Sequence, residues 1–231
     1  MTPELGRVTA AVEDDYHCMA VTLHHDGTTI STIDPVMSRA PWSTCPGAPA
    51  VLKHTFEGFA LTDVSARIEK QSNCTHLHDL AVLAATHAND SSATRYDILV
   101  CDAVDGVNAA EIWRNDALVL RIEHRDDIML SPPAIAGASL FKLRDWFDSL
   151  GDTDREAARL LQWATLIAHG RALPMERQSD ASKMPPNCYT FQPENAVNAA
   201  RIGEIIDFTA VPRDPLDHFD GVNFTTRQPN A

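Results

Sequence analysis

Cys45 and Cys74 each stand where a helix is expected to begin, in Thr44-Cys45-Pro46-Gly47 and Asn73-Cys74-Thr75-His76-Leu77. A thiol there feels the partial positive charge of the helix end, which favours the thiolate that binds a metal or attacks carbon. His76 follows Cys74 by two positions, and thiolate sulfur with imidazole nitrogen suits Zn²⁺ or Fe²⁺. Cys45, Cys74 and His76 are therefore the expected metal ligands, with Zn or Fe as the expected ion. Three protein ligands leave an open position at which the ion can polarise a carbonyl or lower the pKa of bound water from about 16 toward about 7. Asp79, one helical turn beyond His76, and His17, in the polar group Asp14, Asp15 and His17, are the expected bases. Cys-x-His is a weak spacing signal, and each cysteine also reads as a small buried apolar residue.

The remaining reactive types carry less. Cys18 and Cys101 lie within strand-like apolar runs and read as structural. His24 and His25 flank a turn and are expected at the surface, and His78 is expected to point away from His76. Cys188, with Tyr189 and Gln192, sits between a polar loop and a proline-started helix and is placed to close over a pocket.

The elements that must position these groups alternate between strands and helices. Cys18 to Leu23 and Thr28 to Ile33 read as a hairpin, with Asp26-Gly27 supplying the positive φ of a tight turn. Met1 to Glu13 is a weakly patterned lead-in. Pro46 suits a first helical position, which predicts a helix to about Phe56, and Leu61 to Lys70 predicts a short one. Leu77, Leu80, Ala81, Ala84 and Ala88 recur at helical spacing, so a helix runs from Thr75 through His87. Asn89 to Ser92 is a polar break. Beyond it, Tyr96 to Val104 and Glu111 to Glu123 read as strands, with Asn115-Asp116 as a turn. Leu140 to Leu150 reads as a helix, and Thr153-Asp154-Arg155-Glu156 has the spacing of a capping box ahead of another that ends at Gly170. A last helix is expected from Pro193 to Arg201, followed by an irregular tail.

The chain has 231 residues, 44% of them hydrophobic, enough for an ordinary packed core. Lys+Arg 19 against Asp+Glu 32 gives a formal net charge of -13, which repels phosphate backbones and anionic lipid and argues against nucleic acid and membrane as partners. No apolar run is long enough to cross a bilayer and no signal peptide is recognisable, so cytoplasm is the expected location. The 5 cysteines lack paired short spacings and are expected reduced.

Two resemblances accompany these residues. Ala40-Pro41-Trp42-Ser43-Thr44-Cys45-Pro46, Cys74-Thr75-His76-Leu77 and Cys188-Tyr189-Thr190-Phe191-Gln192-Pro193 resemble a bacterial family, domain of unknown function 2889, across about residues 14–208. That likeness implies one coherent unit without a reaction. Residues 16–88 are similar in element order to NifU-type iron-sulfur scaffold proteins, which present metal ligands at loop tips and helix starts. The sequence departs from that family in lacking an early Cys-Gly-Asp ligand and an adjacent His-Cys pair.

The expected architecture is α+β: a mixed or antiparallel sheet covered by helices in one domain over residues 14–208, with residues 95–208 completing the sheet of residues 14–90, and a tail over 209–231. The expected function is a metal-dependent lyase, hydrolase or isomerase acting on a small organic molecule. Two alternatives stay open, a non-catalytic metal or iron-sulfur carrier and a thiol-nucleophile enzyme without metal.

Overall fold

Alternating apolar side chains build the first sheet. In the computed structural model, which describes residues 1–66, 69–172 and 179–221, strands β1 (Thr2–Glu4), β2 (Arg7–Glu13), β3 (Cys18–His25) and β4 (Ile30–Arg39) pair antiparallel in the order β1-β2-β3-β4. Val8 and Ala10 of β2, Met19, Val21 and Leu23 of β3, and Ile30 and Ile33 of β4 join one core. Helices α1 (Ala48–Phe56) and α2 (Thr75–Thr86) fill the rest of it, through Leu52 and Phe56 and through Leu77, Leu80, Ala81 and Ala84. The apolar stripe predicted for α2 is thus the stripe that packs. The Asp26-Gly27 hairpin forms as expected: Gly27 has φ 99°, and the Asp26 carboxylate accepts from the amides of Thr28 at 2.9 Å and Thr29 at 2.8 Å.

Three expectations need correction in this part. Met1 to Glu13 is not a lead-in, because Arg7 to Glu13 pairs residue by residue with His24 to Cys18 and so becomes an inner strand. The Leu61 to Lys70 segment is not one helix: its described residues form 3-10 turns at Leu61–Ala66 and Glu69–Ser72. His25 is buried rather than exposed, and its Nδ1 accepts the Gly27 amide at 3.1 Å.

The chain divides into two units, Met1–Ala93 with Met175–Ala231, and Thr94–Pro174. The polar break at Asn89 to Ser92 falls at this division. The second unit has its own antiparallel sheet of β5 (Tyr96–Val100), β6 (Asn108–Arg114), β7 (Ala117–Arg125) and β8 (Ile128–Ser131), so the second half does not complete the first sheet. The physical reason lies in the connections. Each strand from β5 onward is joined to the next by a short turn, and such hairpins pair locally. Helices α3 (Arg144–Ser149) and α4 (Asp152–Ala172) cover this sheet around Ile112, Ile122, Met129, Leu140, Phe147 and Leu161. α4 begins at Asp152, which places Thr153 inside its first turn rather than at its cap. The helix expected over Pro193 to Arg201 is only α5 (Pro193–Ala196). Among the described residues, no helix is long and apolar enough to cross a membrane.

Candidate functional site

A four-residue turn joins β2 to β3, and its own backbone closes it: the Asp14 amide donates to the His17 carbonyl at 2.9 Å. The Asp14 carboxylate accepts from the amides of Tyr16 and His17, each at 2.8 Å, and meets the His17 ring nitrogen Nδ1 at 3.0 and 3.1 Å through its two oxygens. Arg39, the last residue of β4, fixes this turn from outside. Its guanidinium donates to the carbonyls of Asp14 at 2.7 Å, Asp15 at 2.6 Å and His17 at 3.3 Å. Arg39 also reaches the Glu13 carboxylate at 3.2 Å, and Glu13 is held from the far side by Arg213 at 2.7 and 2.9 Å and by the Leu216 amide at 2.8 Å. A planar fork with several donors suits such a task, because it can serve several carbonyls at once.

The held ring of His17 stacks on His76 of α2, with centroids 3.7 Å apart and planes 29° from parallel. Asp14, His17 and His76 each present a ligand-type atom within 4.8 Å of the others. Their charge states differ. Burial would push the Asp14 carboxyl up, but the charge and hydrogen bond of His17, with help from His76 and the Tyr16 amide, hold it at about 2. Burial pushes the His76 imidazole down to about 3, and His17 pushes it the same way against the opposing pull of Asp14 and Asp79. At neutral pH the group is a carboxylate, a histidine it orients, and a neutral imidazole against that histidine's face.

Arg201 completes the neighbourhood. Its guanidinium carbon lies 5.4 Å from the centre of the Tyr16 ring and 5.3 Å from that of Trp42. The backbone holds it there, with Ser43 donating to Ala200 and Ile202 donating to Pro41, each at 2.9 Å. Gly203 follows at φ 84°, and a Cβ there would come within 2.7 Å of the Ala40 carbonyl, so only glycine permits this approach. Among the described residues no carboxylate pairs with Arg201, which leaves its charge available to an anion.

The structure separates the expected ligands. His76 joins His17 and Asp14, whereas among the described residues neither Cys45 nor Cys74 belongs to any group of three ligands within 4.8 Å. Cys45 contacts the Thr190 hydroxyl at 3.3 Å in a small core with Trp42, Ala181 and Ala196. Cys74 caps α2 within the main core. The two remain neighbours, since the rise of the Cys74 thiol owes part to Cys45 and Cys188, and the Tyr189 amide bonds the Asn73 carbonyl at 2.9 Å. The expected thiolate character is corrected. Burial outweighs the helix end and pushes Cys74 up to about 12, and it raises Cys45 and Cys188 as well. Asp79, expected as a base, instead pairs with Lys70 at 2.6 and 2.7 Å. His78 packs against Phe56 at 5.1 Å between ring centres, away from His17. Sequence reading gave Asp14 only a minor place and missed Arg39 and Arg201; the one signal available was Asp14 three residues ahead of His17, the spacing of a side chain that folds back on its own turn.

The thiol states make a measurable difference. Brief alkylation of the native protein at neutral pH labels the exposed Cys101 first, and Cys74, with a thiolate fraction lower by about 1,000-fold than an ordinary thiol, lags far behind. Mass mapping of the modified peptides reads the order, and comparable labelling of Cys74 would contradict the assigned burial.

The family model described as Protein of unknown function (DUF2889) matches residues 3–89, so the chain resembles that family over the first sheet, α1 and α2. The matched stretch contains Asp14, His17, Arg39, Cys45, Cys74 and His76, is shorter than the span expected from the sequence, and excludes Cys188, Arg201 and the Thr94–Pro174 unit. No curated protein and no solved structure matches the chain, and the likeness to NifU-type scaffolds gains no support.

Proposed function

We propose that the unit formed by Met1–Ala93 and Met175–Ala231 binds a small carboxylate-bearing organic molecule and moves a proton on it. The observation that carries this reading is the double contact of Asp14 with His17 Nδ1 at 3.0 and 3.1 Å. A histidine held this way keeps one nitrogen on its orienting carboxylate and the other for a reacting proton, which is the geometry of a general base. His76, neutral beside it, lowers the polarity of its surroundings without adding charge. Arg201 supplies the cation for the substrate's carboxylate, and Tyr16 links the two, its ring 6.3 Å from His17 and 5.4 Å from the Arg201 guanidinium. Proton transfer at a carbon or oxygen beside a carboxylate fits the lyase and isomerase classes.

A second reading has its own observation. The ligand atoms of Asp14, His17 and His76 lie within 4.8 Å of one another, as a single Zn²⁺ or Fe²⁺ would require. Against it stand the cofacial rings. Two imidazoles bonded to one ion at about 2.0 to 2.1 Å and near-tetrahedral angles keep their centres roughly 5 Å apart, well beyond 3.7 Å.

A ligand-observed NMR screen of small carboxylic acids in D₂O tests the first reading. At least one acid should bind wild type, bind Arg201→Leu at least about 10-fold more weakly, and lose protein-dependent deuterium exchange in His17→Gln while still binding. Equal binding to Arg201→Leu, or exchange that survives His17→Gln, would remove it. Metal analysis of the same preparations addresses the second reading, since a stoichiometric ion lost in His76→Gln would replace the proton-transfer assignment with coordination.

A further inference from the structure

We propose that His124, Asp127 and His169 of the Thr94–Pro174 unit form a site for one divalent first-row transition cation, such as Zn²⁺, independent of the site described above. The three residues come from different elements that converge at one edge of the second sheet. His124 lies near the end of β7, Asp127 in the tight turn to β8, and His169 in the last turn of α4. Asp126 and Asp127 take φ 48° and 63°, the two positive angles of a tight hairpin turn, and so set where the Asp127 carboxylate sits. The carboxyl end of α4 carries partial negative charge, which favours a cation beside His169.

The distances suit coordination. One ligand atom from each residue lies within 4.8 Å of the other two, and His169 Nε2 lies 3.3 Å from Asp127 Oδ1. Two ligands bonded to one ion at about 2.0 to 2.1 Å in tetrahedral geometry stand about 3.3 Å apart. The imidazole centres of His124 and His169 are 5.8 Å apart with planes at 62°, so their edges can turn toward a common point. In this they differ from the stacked rings of His17 and His76.

A separate observation points to a ligand. His124 is 2% exposed, and both of its ring nitrogens are buried without a hydrogen-bond partner. Native interiors rarely leave a whole imidazole so, and an ion is one of the few groups that would engage it. Asp127 and His169 are partly exposed, giving an ion a way in over a buried floor. Two imidazoles and one carboxylate are a donor set for Zn²⁺, Fe²⁺ and related ions, and three protein ligands leave a position for water or an exogenous ligand.

Titration of the chelator-stripped full chain with ZnCl₂ alone, in competition with a chromophoric chelator, tests the site. One equivalent should bind, with affinity reduced at least about 100-fold in both Asp127→Asn and His169→Gln and unchanged in Cys74→Ser and His76→Gln. The two variants are placed at the partly exposed positions because His124→Asn would disturb the core as well as the ion. Co²⁺ loaded in place of Zn²⁺ should show no sulfur-to-metal charge-transfer band. The proposal is overturned if the chain binds no Zn²⁺, if Asp127→Asn and His169→Gln bind it as wild type does, or if all bound Zn²⁺ is lost with Cys74→Ser or His76→Gln. Loss in His76→Gln alone would favour the coordination reading of the first site and leave none for this one.

Discussion

Glu13→Gln is expected to destabilise the first unit by about 3 kcal/mol, the low end of what removing one member of a buried ion pair costs. The Glu13 side chain is 1% exposed and lies between two guanidiniums, Arg39 and Arg213, each with a side chain 12% exposed. The glutamine keeps the shape but removes the charge, and its amide turns donors toward donors. Two buried cations then face each other with one acceptor oxygen between them. The loss should appear as a lower urea midpoint with little change in slope, followed at amides of β2 and β3. Faster amide exchange around Leu216 should accompany it, because that residue's N–H also rests on Glu13 at 2.8 Å. A change below about 1 kcal/mol would show that the hub contributes little net stability, as some buried ion pairs do.

The second large effect is a loss of stability in mild acid. His76 has a folded value of about 3 against an ordinary 6.5, so between those limits the unfolded chain binds a proton that the folded chain refuses. Stability is therefore complete above about pH 6.5 and falls as pH drops toward 3, with a slope of at most about 1.4 kcal/mol per pH unit. Because the folded site can relax around the charged ring, a loss of about 1–2 kcal/mol between pH 6.5 and 4.5 is the reasonable scale. His76→Gln should flatten that limb. Carboxylates act lower down: Asp14 is held at about 2 against 3.8, so its contribution is present above 3.8 and disappears as pH falls through 2. Glu13 is also lowered, despite burial that pulls upward, and its share is lost in the same direction below its ordinary 4.5. Parallel pH limbs for wild type and His76→Gln would refute the assignment to His76.

Local signals in the sequence told what was local. Asp26-Gly27 announced a hairpin and the apolar repeat from Leu77 announced α2, because the residues that decide these elements sit within a few positions of each other. The α+β class followed from such pieces. Pairing did not. Nothing in Tyr96 to Glu123 says whether those strands join β1–β4 or make their own sheet, and they make their own. The candidate site shows the same limit. His76 and His17 were each legible as reactive types, but their stacking depends on how α2 lies across β2 and β3. Arg213 is 200 residues from the carboxylate it holds. The cysteines misled for a physical reason: a helix end lowers a thiol's pKa only where solvent or charge supports the thiolate, and depth in the core reverses the sign.

The grip of Arg213 and Leu216 on Glu13 also orders events in time. The turn that carries Asp14 and His17 is made early in synthesis, yet two of the groups that hold its neighbouring carboxylate leave the ribosome only after the whole Thr94–Pro174 unit has emerged. Until then Arg39 holds both the Glu13 carboxylate and the carbonyls of the Asp14–His17 turn. The second clamp on Glu13 arrives only with Arg213 and Leu216.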